Sequence, residues 1–219
     1  MKTLLLTATY LVGIGELALA VFFWVTHSKS EIRKVAGFLN FFVAGWVIIN
    51  AGSGLSYDLE SRLTYVFGTL ILTTLIYFCS IFPLKKFMVD WRHILLLYFP
   101  TAIVIYQILF TKTVMLGFSS IKNASQTITG PLYLMYTAYM VSLALASIVL
   151  LIRSVRHSGG FMKQNLIIIF FAVLLDAVIA YIFGIFHFFP NITFNYLIGP
   201  IFSALWISAI AYVINRKPA

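Results

Sequence analysis

The chain has 219 residues, 62% of them hydrophobic and only 10% charged, with a mean hydropathy of +1.01. A water-soluble domain carries about 25% charged residues, so this composition excludes one and makes lipid the natural solvent. The formal charge of +9 does not indicate nucleic acid, because the basic residues stand in short clusters between apolar runs, as membrane loops do.

Taken in chain order, seven apolar runs are long enough to span a bilayer: roughly 4–26, 35–56, 63–83, 93–111, 131–152, 166–188 and 197–214. Backbone groups in lipid must bond internally, so each run predicts a helix. The expected fold is all-α, a polytopic bundle of seven transmembrane helices in one domain over 1–219. The first run, with Lys2 ahead of it and Ala18-Leu19-Ala20 inside it, resembles a cleavable signal peptide. It continues through "VFFWV", however, and Glu16 interrupts it, so a retained first helix is the reading. Only the loop at 112–130 is long enough for structure of its own. The single cysteine, Cys79, sits in an apolar run and gives no disulfide framework.

Topology follows from Lys and Arg. Lys29, Arg33, Lys34, Lys85, Lys86, Arg92, Arg153, Arg156, Lys163, Arg216 and Lys217 share one side, and Lys2, Arg62, Lys112 and Lys122 the other. The excess of 11 against 4 predicts a cytoplasmic C-terminus and an outside N-terminus, in a multi-pass protein of the cell membrane.

Two acids stand alone in the apolar runs. Asp176 lies at the middle of "IIIFFAVLLDAVIAYIFGIF", on a face with Ala172, Ala180, Phe183 and Gly184; Glu16 has Gly13 and Ala20 at helical spacing. An acid at mid-bilayer costs about 2.5–3.5 kcal/mol on insertion scales. No Lys or Arg is placed at that depth, so each acid needs a proton, a neutral hydrogen-bonding partner or a cation. The bland alternative is a polar clasp between helices. Candidate ligand-binding residues are Glu16, Asn50, Asp176, His187 and Ser203, lining a cavity open to the outside between helices 1, 2, 6 and 7. Asn50 shares a face with Ser53 and Gly54, a pattern that also suits plain helix packing. His187 lies on the side of Asp176, at the outer rim.

Thr69, Thr73, Tyr77 and Ser80 form a polar stripe expected to bond its own helix. Tyr133, Tyr136 and Tyr139 read as an interfacial belt. Pro100 and Pro200 are expected to bend helices 4 and 7. The histidine spacings assemble no metal cluster. Helix 7 carries no lysine for a Schiff base, and no phosphate loop, Gly-x-Ser-x-Gly or His-Glu-x-x-His occurs, so no catalytic residue or cofactor is predicted.

Several stretches together resemble a known family: "GFLNFFVAGWVIIN", "IYFCSIFPLKKF", "ILLLYFP", "GPLYLMYTAYM" and "FPNITFNYLIGPIFSALWISAIAYVINRK". They look like the N-terminal seven-helix sensor region of prokaryotic histidine kinases. The resemblance covers nearly the whole chain and is strongest over 129–217. It implies a receptor-like module with an unknown small ligand, possible homodimerisation, and a cytoplasmic kinase-type signalling domain or protein as partner. Only "RKPA" follows the last predicted helix, so a kinase core would have to lie elsewhere. The alternative is a small transporter or channel with Glu16 and Asp176 as proton or cation sites.

Overall fold

The computed structural model describes residues 2–26, 30–52, 58–82, 91–121, 124–186 and 195–216. These residues form seven α-helices: α1 (Lys2–Thr26), α2 (Glu31–Gly52), α3 (Asp58–Ile81), α4 (Trp91–Phe110), α5 (Tyr133–His157), α6 (Gly160–Phe186) and α7 (Asn195–Asn215). Helices α1 to α5 are each long and apolar enough to cross a membrane. Several helices begin in polar residues ahead of the apolar run. Glu31 opens α2, and Asp58 and Glu60 open α3, where acidic side chains complement the positive helix end. Arg156 and His157 close α5 at its negative end. The tight connection from α5 to α6 needs Gly160 at φ +53, a conformation that side chains with a Cβ avoid.

Between α4 and α5 lies a β-hairpin, β1 (Met115–Ile121) and β2 (Ala124–Thr129), paired antiparallel with an irregular register between Met115 and Gly117. This is the structure carried by the long loop, and an addition to an all-helical plan.

Helix packing forms a closed ring in the order α1, α2, α3, α5, α6, α7, with α7 returning to α1 and also touching α2; α4 packs against α3 outside the ring. The main core fills the ring with Phe23, Leu39, Phe78, Leu151, Leu166 and Ile207. A smaller cluster of Val66, Ile108, Val114, Met115 and Tyr136 seats the hairpin on α3, α4 and α5. Apolar side chains such as Leu96, Phe99 and Phe110 on α4 point away from both, as lipid contact allows. Pro100 lies within α4, where its missing N–H leaves the Leu96 carbonyl without its helical donor.

Candidate functional site

Helix α1 buries a single stripe at alternating spacings of four and three: Thr9, Gly13, Glu16, Ala20 and Phe23. Glu16 is therefore carried inward by the same periodicity that packs the helix. Its small neighbours allow close approach. A Cβ at Gly13 would come 2.7 Å from Ile48 of α2, and one at Gly37 of α2 would strike the Trp24 ring of α1. The two helices are thus held at a spacing that only glycine permits.

Ser203 of α7 completes the contact. Its Oγ–H donates to Glu16 Oε1 at 3.0 Å, and both residues are only 3% exposed. Glu16 Oε2 is buried with no hydrogen-bond partner. Asp176 is half-buried on α6, continuing the face of Ile169 and Val173, and lies close enough to Glu16 for the two carboxylates to interact electrostatically. Among the described residues neither acid forms an ion pair. The arrangement is a carboxylate with one donor supplied, one oxygen unserved and a second acid in reach. Chemically it can take a proton, a cation or a further hydrogen-bond donor.

The structure thus brings together Glu16, Ser203 and Asp176. Asn50 donates its Nδ2–H to the Trp46 carbonyl of its own helix at 2.8 Å. Its level, set by the contact of Gly13 with Ile48, is more than a helical turn from Glu16, toward the N-terminal end of α1. His187, with Ser53 and Gly54, lies outside the described residues, as do the side chains of Ala180 and Phe183. Among the described residues no group of three His, Cys, Asp or Glu could hold a metal ion.

Three polar features were missed by the sequence reading. Asn40, in "GFLNFF", is fully buried, with its Nδ2 bonded to the Ala36 carbonyl and its Oδ1 unpartnered. Trp206, one turn beyond Ser203, buries an indole N–H without a partner. Arg62, grouped above with loop charges, is instead 6% exposed. Its guanidinium bonds Asp58 at 3.0 Å, the carbonyls of Ile108 and Thr111 at the end of α4, and that of Met115 in the hairpin. It clasps α3, α4 and β1 in one grip, which five fixed donors make possible.

The threonine stripe of α3 behaves in part as expected. Thr69 and Thr73 bond their own helix. Thr73 also meets Thr101 of α4 at 2.9 Å, and Thr101 meets Tyr139 of α5 at 2.8 Å, so the stripe ties three helices. Tyr77 reaches Glu31 of α2 at 2.8 Å. Tyr136 is 8% exposed, packed in the smaller core and bonded to Thr69. Amphipathic aromatic rings suit an interface, but a threonine hydroxyl on a neighbouring helix satisfies the phenol as well.

Five helices long and apolar enough to cross a membrane mark a multi-pass protein of the cell membrane. The family behind it follows from comparison: the chain belongs to the N-terminal 7TM region of histidine kinase, whose family model matches residues 8–217. That region is a membrane sensor module in signalling, and the match covers the sensor region alone. No curated protein matches the chain.

Proposed function

We propose that the chain is the input module of a two-component system. A stimulus acts on the Glu16–Ser203–Asp176 centre, and α7 carries the response to a kinase-type output on the cytoplasmic side. The carrying observation is the hydrogen bond from Ser203 to Glu16. It joins the first helix of the ring to the last, the helix that leads toward an output. The basic-residue excess supports the orientation, with the end of α7 inside. In that orientation Asn50 stands outward of the centre, on the side from which a small ligand would enter.

A cationic or amine-bearing ligand suits this centre, since it supplies the charge that the two acids lack. It would bind one arrangement of α7 against α1 better than the other and shift their populations. A net change of about 1 kcal/mol, the worth of one buried hydrogen bond, shifts such a ratio about fivefold.

The test is an in-frame fusion of α7 to a kinase core, screened against amines and cations. Asp176→Asn and Glu16→Gln should leave the fold intact and abolish the response. Normal signalling by both variants would reject the centre as the input point.

A further inference from the structure

Among the described residues, three of the buried side-chain atoms without partners are carried by mutually packed helices: Glu16 Oε2, Asn40 Oδ1 and Trp206 Nε1. Their residues are 3%, 0% and 4% exposed. The helices that carry them, α1, α2 and α7, all pack against one another. Contacts already described set their levels. Gly13 faces Ile48 and Gly37 faces Trp24, an antiparallel register that puts Glu16 level with Gly45 and Asn40 level with Val21. Ser203 meets Glu16, and Trp206 follows it by three residues on the same buried face of α7. At 1.5 Å per residue, Trp206 then lies about 4.5 Å along the seam from Glu16, and Asn40 about 7.5 Å along it in the same direction. Trp206 thus lies between the levels of Glu16 and Asn40, and axial steps of about 4.5 Å and 3 Å suit one or two bridging molecules with bonds of about 2.8 Å on either side.

The chemistry of the three atoms selects the occupant. An indole N–H only donates, while a carboxylate oxygen and an amide oxygen accept. A metal cation would face the indole hydrogen, and an anion would face two oxygens. A hydroxyl suits all three, because it accepts from one partner and donates to another. Buried waters in proteins make about three such bonds, to groups otherwise unsatisfied. We propose that the α1–α2–α7 seam is a binding site for one or two ordered waters, which accept from Trp206 Nε1–H and donate to Glu16 Oε2 and Asn40 Oδ1. The site shares Glu16 with the proposed input centre but rests on the packing of α1, α2 and α7, and its test reads the indole rather than a signalling response. Its consequence is that α7 is held to α1 by the Ser203–Glu16 bond and to both α1 and α2 through solvent, which can exchange partners as α7 shifts.

The experiment uses the full chain in lipid nanodiscs with 15N-indole-labelled tryptophan. Four indole signals result, and Trp206→Phe identifies that of Trp206 by its loss. Trp24, whose Nε1–H donates to the Lys34 carbonyl at 3.3 Å, is the reference for a protein-bonded indole. The Trp206 N–H should show a magnetisation-transfer cross-peak to a long-lived water. Glu16→Leu or Asn40→Leu, each removing an acceptor, should reduce it at least twofold, and Glu16→Gln, which keeps one, should retain it. A Trp206 N–H with no water cross-peak would overturn the proposal. So would a cross-peak unchanged in both leucine variants, which would mean bulk solvent reaching the ring.

Discussion

Replacing Ser203 by alanine removes the one donor serving Glu16 and keeps the helix, since alanine is the best helix former. A buried acceptor left unsatisfied costs about 1–3 kcal/mol in water-soluble proteins. In membranes the reference chain finds substitute partners, and measured interhelical hydrogen bonds average about 0.6 kcal/mol with a maximum near 1.7. Here the acceptor is a carboxylate, it is 3% exposed, and its second oxygen already lacks a partner, which places the loss at the upper end. We expect Ser203→Ala to destabilise the bundle by about 1.5 kcal/mol, roughly a tenfold change in the unfolding equilibrium. Reversible unfolding by sodium dodecyl sulfate in mixed micelles measures it. A double-mutant cycle separates the bond from the packing: in a Glu16→Leu background the same serine change should cost almost nothing. Additive penalties within about 0.3 kcal/mol would refute the argument, because residues that share a hydrogen bond must couple.

Arg62→Leu should cost about 2–3 kcal/mol, since it strips donors from three carbonyls and the Asp58 carboxylate, and hydrogen exchange should rise at the end of α4 and in the hairpin. Arg62→Lys should not restore protection, because one ammonium cannot reproduce the planar fork. Thr101→Val keeps shape but removes the bridges to Thr73 and Tyr139; a loss of about 1 kcal/mol is expected in the same unfolding assay. Gly13→Val should separate α1 from α2 at Ile48 and cost about 1–3 kcal/mol, read as a reduced cross-linking yield between cysteines placed on the two helices. A reporter fused after Ala219 should be active only as a cytoplasmic probe; a signal from the outer side would reverse the assigned orientation.

The helices were legible because lipid leaves a hydrophobic segment one backbone solution among few. Glu16, Ser203 and Asp176 were also legible, as polar letters in apolar runs. That Ser203 in particular serves Glu16 was not, because loop lengths do not determine which helices become neighbours. Arg62 misled for a physical reason: its position beside "YDLES" reads as a solvated loop, but the carbonyls that end α4 draw it inward. Trp206 and Asn40 escaped notice because both types are ordinary in membrane helices. Only their burial without partners distinguishes them, and that is a property of packing. Structure between α4 and α5 was legible only as a loop of unusual length; its strands were not, because α3 and α4 supply the apolar floor on which the hairpin rests.

The Ser203–Glu16 bond joins positions 187 residues apart in the chain. At about 5–20 residues per second, ribosomal synthesis separates the two by roughly 10–40 s. For that interval α1 stands in the bilayer with an acid that its final partner cannot yet reach, while α2 can already dock through Gly13 and Gly37. Ring closure thus cannot precede the synthesis of α7, and its expected signature is chemical rather than geometric. Nascent chains halted before α7 keep Glu16 accessible to a carboxylate-directed reagent or a quality-control factor, and completed chains hide it.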